Sequence, residues 1–142
     1  MSRSMVMRWP AYDVSVKVEL ADDVNSELVD EVWQNLPFTC VQDHGVVTGK
    51  IMYCWVPMIS VAPVKKSVKH TDATVGTVSY SQGTGNKIIV NYGKCTEDIA
   101  APTLGVVAKR DQPKLEEMGG RAWESSYITK ALIDVIFERG EE

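Results

Sequence analysis

The sequence contains few cysteines and no pattern typical of a zinc site. Its three cysteines, Cys40, Cys54 and Cys95, are far apart and form no Cys-x-x-Cys pair. An odd number of isolated cysteines argues against the disulfide framework of a small secreted domain. We therefore predict buried free thiols in a reducing compartment and no metal site.

Positive charge and long apolar runs are also scarce. The 15 lysines and arginines are outnumbered by 19 acidic residues, which gives a formal net charge of −4. The largest basic cluster, Lys65-Lys66 with Lys69, is too short to follow a phosphate backbone, so nucleic acid is not an expected partner. No apolar run reaches the length of a membrane span, and Met1–Arg8 lacks the apolar region of a signal peptide. These absences predict a cytoplasmic protein with no membrane partner.

What is present is ordinary globular composition with strand-like and helix-like patterns. A chain of 142 residues that is 44% hydrophobic can form one domain with its own core, so we expect a single domain over residues 1–142. Alternating apolar and polar residues predict a strand in Tyr12–Leu20. Apolar residues at helical spacing predict a helix over about 26–36, capped by Asn25 or Ser26.

The middle of the chain predicts two hairpins with glycine-containing turns. Their strands are Thr39–His44 with Ile51–Val56, and Thr77–Ser81 with Lys87–Tyr92. Further along, the sequence suggests a short strand, one or two helical turns and a strand that closes the sheet. These lie in Thr103–Ala108, Pro113–Met118 and Arg121–Ser125, respectively.

The end of the chain predicts a C-terminal helical extension over residues 126–139. Its apolar residues recur at helical spacing, with Leu132, Val135, Ile136 and Phe137 on a face too broad for one flank of a small barrel. An exposed patch of that kind usually marks an interface, so we predict a homodimer or higher homo-oligomer with this helix at the interface. The alternative is a helix buried within its own chain beside the first helix.

Several groups of residues together form a recognisable pattern. They are Asp43–Gly45 with Thr48–Lys50 and Tyr53–Pro57, Ser79–Lys87, Asn91–Gly93, and Leu115–Gly119 with Trp123-Glu124. The pattern spans residues 11–126 and resembles the cyclophilin-like domains of cucumopine and mikimopine synthases. The resemblance implies a mainly β fold: a small closed cyclophilin-like β-barrel with one early helix, one short late helix and the C-terminal helix.

The resemblance also implies an opine-forming activity. Such a synthase condenses L-histidine, or a similar amine, with 2-oxoglutarate, or another 2-oxo acid, in a Pictet–Spengler reaction that uses no cofactor. Because the wider group is functionally mixed, a non-catalytic protein that binds a small molecule in the same barrel is the alternative. With only Phe38 and Phe137, the sequence lacks most of the aromatic lining of a proline-isomerising cyclophilin.

A condensation of this type needs an acid to expel water and a base to remove a proton. His44, at a strand end beside Gly45, could point into a barrel mouth or could make a structural hydrogen bond at the hairpin. His70 and Glu97 lie in polar loops and are expected to be solvated. Glu124 is a candidate base if it follows Trp123 on a closing strand.

The substrate would need a cation for its carboxylate and flat surfaces for its ring. Lys87 could bind a carboxylate or could be a solvent-facing edge charge. Tyr53 and Trp55 are two residues apart and share a face, which with Tyr80 lines either a pocket or the core. The predicted catalytic residues are His44, Tyr53, Tyr80 and Glu124, and the predicted substrate-binding residues are Lys87, Trp55, Asn86 and Gly85.

Overall fold

The computed structural model describes residues 3–83 and 85–140, and nine strands form one antiparallel sheet in it. The strands are short and are joined by turns and by two α-helices. They are β1 (Ser4–Trp9), β2 (Val14–Leu20), β3 (Phe38–His44), β4 (Gly49–Trp55), β5 (Ser67–Lys69), β6 (Thr77–Ser81), β7 (Lys87–Cys95), β8 (Ala100–Val107) and β9 (Asp134–Arg139).

The sheet closes on itself as a barrel. The strand order is β2-β1-β9-β3-β4-β7-β6-β8-β5, and an additional pairing of β2 with β8 joins the two sides. β5 pairs only with the first residues of β8, so it projects from the barrel wall. Closure gives each strand except β5 at least two neighbours, which removes the exposed edges that a short sheet would present.

Side chains alternate between two faces of the barrel wall, and both faces are partly apolar. On β4, Met52 and Cys54 point into the main core, whereas Ile51 and Tyr53 join a second apolar cluster on the opposite face. The second cluster also contains Ala101 of β8. The outer face of β4 and β7 is therefore partly covered by the chain.

Two helices pack on the barrel. Helix α1 (Ser26–Asn35) buries Leu28, Val29 and Val32 in the main core, as its apolar spacing predicts. Helix α2 (Leu115–Glu124) follows a 3₁₀ turn and continues as a π-helical turn over Ser125–Thr129. Within residues 3–83 and 85–140, no helix is long and apolar enough to cross a bilayer.

Most sequence predictions for the first hundred residues are confirmed. The strand in Tyr12–Leu20, the helix over 26–36 and both hairpins are present within a few residues of their predicted bounds. The three cysteines are free and buried. The side chain of Asn25 does not cap α1 but accepts hydrogen bonds from the Lys65 and Lys66 amides, 2.8 and 3.1 Å away.

Two predictions for the C-terminal part are wrong, whereas the short strand in Thr103–Ala108 and the helical turns in Pro113–Met118 are present, in β8 and in the 3₁₀ turn with the start of α2. Arg121–Ser125 is not a closing strand, because Arg121 to Glu124 belong to α2. The predicted helix over 126–139 is a π-helical turn, a short link and strand β9, which lies between β1 and β3. Val135 and Phe137 are fully buried on one face of β9. This strand period of two is hard to see in the sequence because the neighbouring residues are also apolar.

This correction removes the argument for an interface helix. The apolar face assigned to that helix is divided between the barrel core and the surface link, where Leu132 is 80% exposed. Homo-oligomerisation through a C-terminal helix is therefore no longer supported.

Phe137→Ala should lower the free energy of unfolding by about 3–5 kcal/mol, because it leaves a cavity beside Phe38. The two rings lie 5.5 Å apart between centroids, and Phe137 is fully buried. The control, Leu132→Ala, should change the free energy of unfolding by less than about 0.5 kcal/mol because its side chain faces water. Denaturant unfolding followed by circular dichroism measures both. A larger loss for Leu132→Ala than for Phe137→Ala would contradict β9 as a core strand.

Candidate functional site

A large cavity lies on the outer face of the barrel, between β4 and β7 on one side and β5 and the start of β8 on the other. We call it the outer cavity, and its volume is about 610 Å³, in the range of small-molecule sites. It is lined by Gly45, Thr48, Ile51, Tyr53, Val64, Ser67, His70, Ser81, Gln82, Gly83, Lys87, Ile89, Glu97, Ile99, Ala100, Ala101 and Pro102.

Lys87 is the cation of the outer cavity. Register pairs it with Trp55 across β4 and β7, and its Nζ lies 4.9 Å from the ring centre of Tyr53 and 5.0 Å from that of Trp55. Two aromatic rings hold the ammonium in place but cannot neutralise it. Lys87 forms no salt bridge with any carboxylate in the described part of the chain. An ammonium held in this way is available to an anionic ligand.

His70 and Glu97 enter the same cavity from two loops that dock on each other. The Thr71 hydroxyl donates to Asp98 at 3.0 Å, and the His70 amide donates to the Ile99 carbonyl at 2.9 Å. These contacts bring the His70 ring, which is only 8% exposed, near the carboxylate of Glu97. No residue in the described ranges 3–83 and 85–140 forms a hydrogen bond with the His70 ring. It is a buried polar group on the lining of the outer cavity.

Burial lowers the pKa of His70 below its ordinary value, because desolvation penalises the imidazolium. The carboxylate of Glu97 raises the pKa of His70, and the ammonium of Lys87 lowers it. His70 is therefore neutral at neutral pH and can accept a proton. Glu97 lies where it would stabilise the imidazolium that results.

His44 lies in a different cavity, between the end of β3 and α2. Its Nδ1 lies 2.8 Å from the Gly45 carbonyl and its Nε2 lies 2.6 Å from the Tyr92 hydroxyl, so both ring nitrogens are hydrogen-bonded. Burial lowers the pKa of His44. The hydrogen bond at the hairpin, one of the two alternatives for this residue, is present. The prediction that His44 shares a pocket with Lys87 and Tyr53 is wrong.

Tyr53 and Trp55 do share a face, as predicted, but it is the outer face of the barrel. Their rings meet edge to face with centres 5.6 Å apart. The Tyr53 hydroxyl donates to Asp43 at 3.3 Å, and burial raises the pKa of Tyr53 to about 12. Gly85 packs on the Trp55 indole: its φ is +98°, and a Cβ there would lie 2.6 Å from the ring. Gly85 therefore seats Trp55 rather than binding substrate directly.

Tyr80 and Asn86 have structural roles. Tyr80 is fully buried in the main core, and its hydroxyl donates to the Asn86 side-chain oxygen at 2.7 Å. The same oxygen accepts from the Ser60 amide at 2.9 Å. Asn86 thus ties the β6–β7 hairpin to the loop before β5. Neither side chain lines the outer cavity, so their predicted place in the pocket is wrong.

Glu124 is also remote from the predicted site. It is exposed at the end of α2 and borders a small cavity with Tyr12 and Arg121. Its assignment to a closing strand beside the pocket fails because residues 115–124 are helical.

The sequence predictions assigned His70 and Glu97 to solvated loops, and the structure brings both to the cavity. They are 27 positions apart, and the spacing carries no motif that would have paired them. The only sequence signal is a polar cluster in each loop, with Lys69 and Thr71 in one and Asp98 in the other. Those residues make the contacts that join the loops.

The pKa of His70 should respond to both charged neighbours. Titration of the ring by NMR should give a pKa below the ordinary histidine value of about 6.5. Glu97→Gln removes an anion that favours the imidazolium, so the pKa of His70 should fall further. Lys87→Met removes a cation that disfavours it, so the pKa of His70 should rise. A His44→Gln variant assigns the two histidine signals. Glu19→Gln, an exposed carboxylate on β2, is the control that should leave the pKa of His70 unchanged. Shifts in the opposite directions would contradict this arrangement.

No family model and no curated protein sequence matches this chain. Among solved structures, McbB in complex with tryptophan is similar, with a TM-score of 0.88 and 28% sequence identity. The match covers 97% of this chain and 45% of McbB, so this chain spans less than half the length of that protein.

Two further structures are similar in fold at lower identity. The hypothetical protein AF2241 from Archaeoglobus fulgidus has a TM-score of 0.59 and 16% identity, over 98% of this chain and 95% of that protein. The Mimivirus cyclophilin has a TM-score of 0.57 and 11% identity, over 99% of this chain and 90% of that protein. The chain therefore has a cyclophilin-like β-barrel fold, as the sequence resemblance predicted.

Proposed function

We propose that the outer cavity catalyses a cofactor-independent condensation of an aromatic amino acid with a carbonyl compound, of the Pictet–Spengler type. The observation that carries the proposal is the combination of an unpaired ammonium, Lys87, with a buried imidazole, His70, that has no hydrogen-bond partner among the described residues. A carboxylate, Glu97, lies within electrostatic reach of that imidazole. These groups supply carboxylate binding and proton transfer in one cavity.

Substrate binding would use the cation and the aromatic face. Lys87 would pair with the amino-acid carboxylate, and the rings of Tyr53 and Trp55 hold Lys87 in position for it. Ile89 and Tyr53 present apolar surface to a flat ring. Binding in this way orients the amine and the nucleophilic ring carbon on the same side of the cavity.

Proton transfer would pass through His70. The neutral imidazole takes the proton of the substrate ammonium, and the free amine attacks the carbonyl carbon to form a carbinolamine. The imidazolium returns its proton to the carbinolamine hydroxyl, water leaves, and an iminium ion remains. The ring carbon then attacks the iminium carbon, and His70 accepts the ring proton that is lost. Glu97 balances the positive charge of His70 while it is protonated.

Charge favours a substrate pair with few carboxylates. L-Histidine and 2-oxoglutarate would together bring three carboxylates, whereas Lys87 is the only lysine or arginine among the described residues that line the cavity. The tryptophan complex of McbB also favours an indole as the ring nucleophile. We therefore propose L-tryptophan with an aldehyde or a monocarboxylic 2-oxo acid as the first pair, and L-histidine with 2-oxoglutarate as the second.

Purified protein should form a product with the summed mass of amino acid and carbonyl compound less one water. The assay combines L-tryptophan or L-histidine with acetaldehyde, pyruvate or 2-oxoglutarate and follows products by mass spectrometry. Heat-denatured protein gives the uncatalysed background. Ligand binding without any product above that background would instead support a non-catalytic binding protein.

Substitutions in the outer cavity should separate proton transfer from binding. His70→Gln should lower kcat by roughly 10²–10⁴-fold, the scale of a general acid or base. Lys87→Met should mainly raise KM for the amino acid, because it removes the carboxylate partner. Lys94→Met, an exposed lysine outside the cavity, is the matched control and should keep normal kinetics. Normal kinetics in His70→Gln and Lys87→Met would remove these roles even if turnover were real.

A further inference from the structure

A second cavity lies between α2 and the barrel, and we call it the helix cavity. Its volume is about 440 Å³, and its lining includes His44, Lys50, Tyr92, Glu116, Gly120 and Trp123. Two consecutive glycines of α2 shape it. Gly119 packs against the Tyr92 ring, where a Cβ would lie 2.3 Å from Cζ, whereas a Cβ on Gly120 would meet no atom within 4 Å. The helix therefore leaves open space above a buried polar floor.

The floor of the helix cavity presents a hydrogen-bond acceptor. The Gly45 carbonyl can only accept, so His44 must carry its proton on Nδ1. Nε2 of His44 is then an acceptor, and the Tyr92 hydroxyl must donate to it. The Tyr92 oxygen keeps a free lone pair, which can accept from an ammonium or an N–H group of a ligand.

The rim of the helix cavity carries one charge of each sign and an aromatic wall. Lys50 Nζ lies 2.8 Å from the Glu116 carboxylate, with side chains 51% and 64% exposed. An ion pair this exposed contributes little, so it can open for a ligand at small cost. Trp123 is 47% exposed and packs with Tyr127, which leaves half of its surface free for a ring.

From these features we propose that the helix cavity is a second binding site, separate from the outer cavity, for a small aromatic zwitterion of the amino-acid class. The ligand carboxylate pairs with Lys50, its ammonium pairs with Glu116 and the Tyr92 oxygen, and its ring packs on Trp123. The proposal goes beyond the condensation and does not depend on it, because none of the residues that bind the ligand lines the outer cavity.

The two histidines of the chain allow each cavity to be observed by itself. His70 lines the outer cavity and His44 lines the helix cavity, so the ring signal of each histidine in an NMR titration reports one site. Gly45 lines both cavities, so a ligand in one could perturb the histidine signal of the other.

Substitutions that fill one cavity at a time show which cavity the ligand occupies. Gly120 lines the helix cavity and Gly83 the outer cavity, and at both positions a Cβ has no neighbour within 4 Å.

L-Tryptophan should shift the His44 signal of the full chain in a saturable manner at pH 7. Gly120→Phe should abolish that shift and leave the His70 response, and Gly83→Phe should do the reverse. Gly120→Phe also replaces a helix-interior glycine, so it should fold at least as well as the parent chain. No saturable His44 shift up to the solubility of the ligand, or a His44 shift that only Gly83→Phe removes, would overturn the proposal.

Binding-site variants test the proposed contacts without filling the cavity. Lys50→Met should weaken the affinity reported by His44 roughly two- to fivefold, the scale of an exposed ion pair. Trp123→Ala should weaken it about fivefold or more. Tryptamine lacks the carboxylate, and indole-3-propionate lacks the ammonium. Each should therefore bind more weakly than L-tryptophan. Equal affinity for all three compounds would refute the zwitterion as the ligand class. An intact protein without turnover but with these His44 shifts would contradict only the proposed condensation.

Discussion

Closure of the barrel by β9 is the constraint on which the rest of the structure depends. Its pairing with β1 and β3 joins the start and the end of the described chain, and Val135 and Phe137 fill the interior. Once the interior is filled, each strand has a committed inner face, and the alternate residues must point outward. Tyr53 and Lys87 are outward for this reason, so the candidate site forms on the barrel wall and not in its interior.

The outer cavity exists because the segment between β4 and β6 is held away from the wall. Glu31 of α1 accepts hydrogen bonds from the Val61 amide at 2.9 Å and the Ala62 amide at 3.3 Å, and also from the Ser60 hydroxyl. Asn25, which is 1% exposed, binds the next part of the segment and the Thr103 carbonyl. Helix α1 therefore packs its apolar face on the core. Its Glu31 and the preceding Asn25 position the segment between β4 and β5 beside the outer cavity.

Burial lowers the pKa of both histidines, but their hydrogen-bond partners differ. Desolvation lowers the pKa of both, so both are neutral near neutral pH. Both ring nitrogens of His44 are hydrogen-bonded, one to the Gly45 carbonyl and one to the Tyr92 hydroxyl. These bonds fix its tautomer and give it a structural role. His70 has no such partner in the described chain and lines a cavity that also contains Lys87 and Glu97. Its imidazole can therefore exchange a proton with a ligand.

The sequence by itself determined the local elements whose period is unambiguous. The alternation in Tyr12–Leu20, the helical spacing in residues 26–36 and the two hairpins predicted strands, a helix and antiparallel pairings that are all present. It also determined that Tyr53 and Trp55 share a face, because that follows from strand geometry alone. The resemblance to cyclophilin-like domains added the closed barrel, which local patterns could not specify.

Only the tertiary structure decided which face is inside and which distant residues meet. In residues 131–137 every position except Asp134 is apolar, so the periods of a helix and of a strand both fit, and the pairing with β1 and β3 selected the strand. Tyrosine and asparagine often bind ligands. Here, however, Tyr80 points into the core, and Asn86 accepts a hydrogen bond from it within the hairpin. His70, Glu97 and Lys87 meet through contacts between separate loops and strands, and loop docking of this kind leaves no periodic trace in a sequence.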